Sequence, residues 1–285
     1  MSTRNTGASV RARLLNKARS DGIDYQLLLT RYALERMLYR LSVSPEKDHF
    51  LLKGALLFDL WYDVPLRPTH DIDLLGFGIA EIPHLINVFE GLCTQEIDDG
   101  IFFDLTSIKA DEIRKEANYA GIRVTLVGLI DGARCPVQVD IGFGDAVTPA
   151  PESALYPVMF ADMPAPLLRV YPRYTVVAEK LEAIISLGMA NTRMKDFFDL
   201  YVILRDKQLD RTTLAQAVTA TLNRRGTISP KNIPLGLSER FSIDAQKNNQ
   251  WNAFVTRNKL NAESLVTTVQ YLRNALAFLF NGEID

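Results

Sequence analysis

The sequence predicts an α/β fold in its first part and a helical domain in its second. Up to about residue 165, apolar runs with the two-residue period of strands alternate with segments of helical periodicity. Residues 148–172 contain six prolines, which disfavour long regular structure, and are interpreted as a connector with some edge strand. Apolar residues recur at helical spacing beyond this connector. We therefore predict domains over residues 1–165 and 166–285.

The N-terminus is expected to form two helices, over about residues 9–20 and 24–42, with Ser9 as the N-cap of the first. The first 19 residues are rich in basic side chains and lack acidic ones. An Arg-rich, acid-poor start is conceivable as a transit peptide. The apolar stripe of the first helix instead predicts a part of the fold, with a basic face that is either solvated surface or RNA-facing.

The chain is organised around residues 53–73. The apolar residues 50–52 predict the end of a buried strand, and Gly54 predicts a sharp turn or a close approach of backbone to a ligand. Residues 55–61 are compatible with a helix, and Pro65 and Pro68 forbid helix in the loop that follows. From Asp71 polar and apolar residues alternate, which predicts a strand with Asp71 and Asp73 on one face.

Two carboxylates side by side repel each other unless a cation lies between them. Mg²⁺ takes oxygen ligands and commonly combines one or two protein carboxylates with substrate phosphates. A glycine turn ahead of the pair would bring backbone N–H groups close to a triphosphate. The order of glycine turn, helix, loop and Asp-x-Asp strand therefore suits metal-assisted phosphoryl chemistry. The alternative is a solvated strand edge, which is the common setting of an isolated Asp-x-Asp.

The remainder of the first domain predicts a helix over residues 81–95 and strands over 101–107, 122–129 and 136–142, with a turn at Asp131-Gly132. Residues 108–116 are interpreted as a short polar helix or loop. The last strand places Gln138 and Asp140 on the face opposite its apolar residues. In the second domain we expect helices over residues 175–187, 195–204, 214–223, 234–241, 246–257 and 262–280.

Residues 53–73 resemble the signature of the nucleotidyltransferase superfamily, and more closely that of the AbiEii/AbiGii toxin family, which has a Lys-Gly-Gly-like turn followed by Arg-x-Thr-x-Asp-x-Asp. The matching residues are Lys53, Gly54, Ala55, Arg67, Thr69, Asp71 and Asp73. Ala55 departs from the Gly or Ser of many members, so a hydroxyl contact to phosphate is absent there. The resemblance implies a small mixed sheet of the polymerase-β nucleotidyltransferase type with flanking helices, and nucleotide binding by these residues.

The resemblance extends to later carboxylates and a lysine. It implies that Asp140, in the run VQVDIGFGD, is a third carboxylate that joins Asp71 and Asp73 in holding metal or acts as a base; the alternative is a residue that caps a turn. It also implies that Lys180 contacts the triphosphate and that Asp196, in a Lys-Asp-x-x-Asp motif, supports the reactive centre. Without the resemblance, Lys180 would be interpreted as a surface lysine paired with Glu179 or Glu182, and Asp199 as structural.

Composition limits the function. A formal net charge of −2 argues against general affinity for polyanions, so any RNA contact must come from local patches. No apolar run approaches the roughly 20 residues that span a bilayer. The two cysteines and three histidines form no metal motif and fit a reducing cytosol. The basic patches considered for RNA are on the first helix and in the second domain: Arg11, Arg13, Lys17, Arg19, Arg224, Arg225 and Lys231.

The resemblance implies a cytoplasmic enzyme that transfers a nucleotide from an NTP with two Mg²⁺ ions. It further implies a toxin restrained by an antitoxin, with the 3′ end of tRNA as acceptor. Two alternatives remain: transfer to a hydroxyl of a protein or small molecule, and a non-catalytic module that binds a nucleotide or an antitoxin.

Overall fold

The computed structural model describes residues 5–62, 68–115, 119–206 and 209–280. The chain forms two compact units. The first comprises Met1–Gly144 with Glu152–Val170, and the second comprises Asp145–Pro151 with Tyr171–Asp285. The functional domain division at residue 165 stays a prediction, because compactness alone does not define a functional domain.

The first unit contains a mixed seven-stranded sheet, counted over the described residues, in the order β3-β4-β5-β2-β1-β7-β6. The β2–β5 and β1–β7 pairs are parallel and the remaining pairs are antiparallel. Strands β2, β5 and β1 therefore lie near the middle of the sheet, where Ile72, Leu74, Val139 and Ile141 are buried. The strands are β1 (Phe50–Lys53), β2 (Ile72–Gly76), β3 (Phe102–Lys115), β4 (Tyr119–Ile130), β5 (Ala133–Phe143), β6 (Glu152–Leu155) and β7 (Leu167–Val170).

The helices of the first unit are α1 (Thr6–Asp21), α2 (Tyr25–Ser42), α3 (Leu57–Trp61) and α4 (Ile82–Cys93). The predicted helices and the Asp131-Gly132 turn are confirmed, but Ser9 as N-cap is wrong. Helix α1 begins earlier, because the Asn5 side chain accepts a hydrogen bond from the backbone N–H of Ala8.

The prediction of a polar helix or loop over residues 108–116 is also wrong for the part that the structure describes, because β3 continues to Lys115. Its polar residues pair with β4 in antiparallel register, from Lys109 opposite Thr125 to Lys115 opposite Tyr119. Between Asp104 and Lys109 the register shifts. Hydrogen bonding to β4 thus determines the conformation of this polar segment, and its own composition does not.

Helix α3, which follows the glycine turn, is fixed by a polar network at Asp59. Oδ2 of Asp59 accepts hydrogen bonds from Nη2 of Arg31 on α2 at 2.9 Å and from the hydroxyl of Tyr156, which follows β6, at 2.6 Å. The Asp59 side chain is only 11% exposed. Partners from two directions therefore hold the short helix in place.

The second unit is built on helices α5 (Arg173–Leu187), α6 (Met194–Asp206), α7 (Arg211–Arg225), α8 (Glu239–Ile243), α9 (Ala245–Arg257) and α10 (Leu265–Leu276). Phe197 stacks on Phe241 with ring centroids 5.0 Å apart in its core. A single helix over residues 234–241 is wrong: a 3-10 turn over Leu235–Leu237 ends where Ser238 caps α8. Helix α10 likewise begins only after its N-cap Ser264.

Two further features concern the whole described chain. No helix in that part is both long and apolar enough to cross a bilayer. Both cysteines are buried as free thiols, and burial raises the pKa of Cys93 to about 12 and that of Cys135 to about 11.

Candidate functional site

The glycine turn lies directly against one of the predicted carboxylates. Gly54 follows β1 with φ +75°, a left-handed conformation that favours glycine. A Cβ at this position would overlap Oδ2 of Asp73 and lie 2.7 Å from its Cβ. The reason is the register of the sheet, because Lys53, the last residue of β1, pairs with Asp73 on β2. Only a residue without a side chain allows the turn and the carboxylate to approach this closely.

Three predicted carboxylates meet on the polar face of the sheet. Asp73 and Asp140 are register partners on the parallel strands β2 and β5. Asp71 lies two residues before Asp73, and its Oδ1 accepts a 2.8 Å hydrogen bond from the hydroxyl of Thr69. Asp140 is buried, with 4% of its surface exposed, whereas Asp71 and Asp73 are partly exposed. The sheet thus brings together acidic residues that are far apart in sequence.

Arg123 completes this cluster, and the sequence interpretation missed it. It lies on β4 opposite Asp140, and its Nε and Nη2 each donate a 2.8 Å hydrogen bond to the Asp140 carboxylate. The hydrogen bonding to Asp140, together with the negative charges of Asp71 and Asp73, raises the pKa of Arg123. Arg123 stays charged and supplies one positive charge to three carboxylates.

The donor set suits a cation bound by few protein ligands. Asp71 and Asp73 offer carboxylate oxygens at an accessible position, and Mg²⁺ commonly takes one or two carboxylates and completes its shell with phosphate and water. Both oxygens of Asp140 accept hydrogen bonds from Arg123. Within the described residues, no group of three or more His, Cys, Asp and Glu has the arrangement of a metal site. The Asp71–Asp73 pair therefore fits Mg²⁺ that also binds substrate, and the role of Asp140 stays a prediction.

The other predicted nucleotide-binding residues lie close to this turn in sequence. Lys53 is buried at the end of β1, and Ala55 is partly exposed in the 3-10 turn that follows Gly54. Thr69 orients Asp71 through the hydrogen bond described above. Arg67 lies outside the described residues.

Lys180 and Asp196 meet in the second unit. Nζ of Lys180 donates hydrogen bonds to Asp196 at 2.9 Å and to Asp199 at 2.7 Å. Arg193 donates to the other oxygen of Asp196 at 2.7 Å. Burial alone would raise the pKa of Asp196, but the charges of Lys180 and Arg193 outweigh it and lower the pKa. The alternative that paired Lys180 with Glu179 or Glu182 is replaced by these partners on α6.

Most of the basic residues considered for RNA contact have acidic partners. On α1, Arg11 pairs with Asp131, Arg13 with Asp162 and Lys17 with Asp21. In the second unit, Arg225 lies in a network with three carboxylates and is only 24% exposed. The network consists of Glu182 at 2.7 Å, Asp145 at 3.3 Å and Glu179 at 3.4 Å. Arg225 therefore has carboxylate partners within the second unit, and its interpretation as a phosphate contact stays a prediction.

Comparisons with known proteins bear on the family and on the fold. The sequence profile described as nucleotidyl transferase AbiEii toxin, type IV toxin–antitoxin system, matches residues 36–277. No protein of curated function matches the sequence. The fold is similar to that of JHP933 from Helicobacter pylori, with a TM-score of 0.53 and 17% identity over 90% of this chain and 93% of that one. It is also similar to an H. pylori protein provisionally described as a nucleotidyltransferase, with a TM-score of 0.53 and 16% identity over 90% and 96% of the two chains.

Proposed function

The chain belongs to the AbiEii family of nucleotidyl transferase toxins of type IV toxin–antitoxin systems, and we propose its reaction on that basis. We propose that it transfers a nucleotide from an NTP to the 3′-terminal hydroxyl of an RNA, with tRNA as the acceptor. The chain is an enzyme, and the family assigns it an NTP substrate and an antitoxin partner. We further propose a polymerase-β-type core, a requirement for Mg²⁺ and a cytoplasmic location.

The observation that carries this proposal is the contact between Gly54 and Asp73. A turn without a side chain leaves backbone N–H groups accessible to phosphate oxygens. The carboxylates beside it suit a cation that binds the same phosphates. A structural Asp-x-Asp at a solvated strand edge would not need a left-handed glycine against one of its carboxylates. The juxtaposition therefore supports nucleotide chemistry over a structural role.

In the proposed reaction, the acceptor hydroxyl oxygen forms a bond to the α-phosphorus, and the bond from that phosphorus to the pyrophosphate oxygen breaks. The hydroxyl proton passes to a base, and pyrophosphate leaves. Asp71 and Asp73 would hold Mg²⁺, with two ions expected, which when bound would offset negative charge on the reacting phosphate. The hydroxyl of Thr69 fixes the orientation of Asp71. Asp140 either joins them or serves as the base.

The second unit contributes Lys180 and Asp196 to the proposed reaction. We propose that Lys180 offsets the charge of the triphosphate and that Asp196 positions it. Lys53, Ala55 and Arg67 complete the proposed nucleotide-binding set.

The acceptor is the part of the proposal that an experiment settles most directly. The purified protein is incubated with each α-³²P-labelled NTP, Mg²⁺, total RNA and total protein, and label is followed separately in RNA and in protein. We expect label in RNA, with tRNA as the main band, and none with the Asp71→Asn/Asp73→Asn variant. Label only in protein would replace RNA by a protein hydroxyl, the alternative acceptor. Family membership favours a transferase, whether its acceptor is RNA or protein, over a non-catalytic module that only binds a nucleotide or an antitoxin.

A further inference from the structure

A groove of about 720 Å³ opens on the first unit beside the carboxylate cluster. Its floor is formed by β3, β4 and β5, where Lys109 pairs with Thr125 and Thr125 pairs with Gln138. One wall lies at the register shift of β3 between Asp104 and Lys109, which interrupts regular pairing there. Its volume is within the range of about 300–1,000 Å³ typical of small-molecule sites. The groove is therefore large enough for a ligand of nucleotide class.

The groove and the carboxylate cluster are contiguous. Gln138, on the groove floor, donates a 3.4 Å hydrogen bond to Oδ1 of Asp140. Thr125 on the floor is two residues from Arg123 on the same strand, so both side chains face the same side of the sheet. His70 lines the groove and immediately precedes Asp71. A molecule lying in the groove would thus have one end at the carboxylates.

The glycine turn lies on the other side of the same carboxylates. In the strand order β3-β4-β5-β2-β1, Gly54 follows β1, Asp73 lies on β2 with Asp71 immediately before that strand, and the groove lies over β3 to β5. If the triphosphate binds at the glycine turn, the groove is the approach from which a second substrate reaches the α-phosphate. An in-line displacement needs attacking and leaving oxygens on opposite sides of the phosphorus.

The lining of the groove selects an anionic partner. It includes Lys109, Arg134 and His70, and among the described residues that form it none is Asp or Glu. Lys109, Arg134 and His70 are exposed. The hydroxyl of Thr125 and the amide of Gln138 add hydrogen-bonding groups, which suit sugar and base edges. In a chain of net charge −2, a groove without carboxylates beside an acidic site favours a phosphate-bearing ligand over a neutral or basic one.

We propose that this groove binds the 3′-terminal nucleotides of the acceptor as a single strand, with Lys109 and Arg134 on its phosphates and Gln138 next to the terminal sugar. This inference rests on the proposed function and adds the place where the acceptor lies. It also explains how the acceptor can be an RNA although most basic side chains of α1 are paired with carboxylates.

The test is a double charge reversal, Lys109→Glu/Arg134→Glu, compared with wild type in two binding measurements. The first is fluorescence anisotropy with a labelled single-stranded RNA oligonucleotide that ends in a free 3′ hydroxyl. The second is binding of NTP with Mg²⁺. We expect RNA affinity to fall by about tenfold or more, and the salt slope for RNA binding to decrease by about 1.4, because two phosphate contacts to a single strand are lost. NTP affinity should stay within about twofold.

Lys47→Glu/Arg240→Glu is the matched control, because it changes net charge equally at two exposed residues outside the groove. An equal loss of RNA affinity in the control would mean that RNA is attracted by the overall charge of the protein and not by the groove. This result would contradict the proposal. If the charge-reversed groove variant is poorly folded, Lys109→Gln/Arg134→Gln replaces it, with a smaller loss expected. Unchanged RNA affinity in a folded groove variant also overturns the proposal.

A cross-linking experiment locates the strand directly. An RNA with a 3′-terminal 4-thiouridine is irradiated with the wild-type protein, and cross-linked peptides are identified by mass spectrometry. We expect cross-links within β4 and β5. If the wild type labels RNA but the cross-links lie only outside the groove, the groove is not the RNA-binding site. The proposed function would then still stand. Label that enters protein and never RNA would reject both.

Discussion

Arg123 and Asp140 face each other across β4 and β5, joined by two hydrogen bonds of 2.8 Å. Since Asp140 is also the register partner of Asp73, the guanidinium is a built-in counter-ion for the carboxylate cluster. A bidentate pair of this kind fixes the orientation of both side chains. The pair therefore controls how strongly the cluster attracts any further cation.

The first prediction follows from this control. In Arg123→Ala the carboxylate cluster loses the Arg123 guanidinium and its hydrogen bonds to Asp140, so the melting temperature in the absence of Mg²⁺ should fall. The rise in melting temperature on adding Mg²⁺ should exceed that of the wild type, because the cluster is more negative. Arg123→Lys retains the charge and should respond more like the wild type. Equal Mg²⁺-induced rises in wild type and Arg123→Ala would contradict this.

A second prediction concerns the Asp-x-Asp pair. Mg²⁺ should stabilise the wild type, and NTP should add to this effect only when Mg²⁺ is present. The Asp71→Asn/Asp73→Asn variant should lose both the thermal shift and nucleotide transfer while remaining folded, since neither side chain is fully buried. Thermal unfolding with and without both ligands provides the measurement. An unchanged Mg²⁺ shift in the variant would remove these residues from the metal site.

Gly54 is tested by comparison with Gly22. Both have positive φ, of +75° and +64°, so an alanine at either position should cost about 1–2 kcal/mol in backbone strain. Only at Gly54 does the new Cβ meet Asp73; at Gly22 nothing lies within 4 Å. Gly54→Ala should therefore reduce transfer by about 100-fold, as expected when reacting groups are displaced by about an ångström. Gly22→Ala should retain transfer and lose less stability, because it has the backbone strain without the overlap. Equal activity in the two variants would show that the approach of turn and carboxylate is not needed for the reaction.

Lys180 has a structural and a proposed catalytic role, and two variants separate them. Lys180→Ala removes the ammonium that the buried Asp196 and Asp199 share and leaves Arg193 on Asp196. It should destabilise the second unit by about 3–5 kcal/mol, besides weakening NTP binding. Lys180→Arg should restore stability better than NTP affinity, because the guanidinium differs in shape from an ammonium. Asp199→Asn should change stability and leave transfer within about twofold. Normal NTP affinity in folded Lys180→Ala, measured by titration below its melting temperature, would limit the lysine to its structural role.

The lowered pKa of Asp196 predicts an acid dependence of stability. A carboxyl whose folded pKa lies below the ordinary value of 3.8 contributes stability at pH values above 3.8, and this contribution is lost as pH falls through the folded pKa. In Arg193→Gln one of the cations that lower the pKa is absent, so the folded pKa lies closer to 3.8. The acid-dependent loss of stability should then be smaller and complete at a higher pH than in wild type. Chemical unfolding followed between pH 2 and 6 gives the comparison. Parallel profiles for the two proteins would contradict the assignment.

The local order of the site could be predicted from sequence because each part has a signature within a few residues. The glycine turn after an apolar run, and the alternation from Asp71, depend on local chemistry alone. Arg123 had no such signature: an arginine on an alternating strand looks like a solvated residue, and its partner is 17 residues away. Its role depends on the register of β4 and β5, which the sequence does not specify residue by residue.

Contacts between separate elements also account for the errors in the predicted fold. The polar residues at the end of β3 lack the composition typical of a strand. They adopt a strand conformation because β4 supplies hydrogen-bonding partners. The hydrogen-bonding partners of Lys180 belong to α6, and the residues around Lys180 in the sequence do not identify them. In each case a contact between separate elements decided the outcome, whereas capped helices such as α2, which begins after Asp24, could be predicted closely.

The two buried thiols make this chain a convenient host for site-specific labels. With pKa values of about 12 and 11, Cys93 and Cys135 are almost entirely protonated at neutral pH, and the thiolate is the reactive form. A single cysteine introduced at an exposed position of the groove such as Thr106 would therefore react with maleimide dyes far faster than the native pair. A dye placed there would report arrival of an RNA end in real time, without prior removal of the native cysteines.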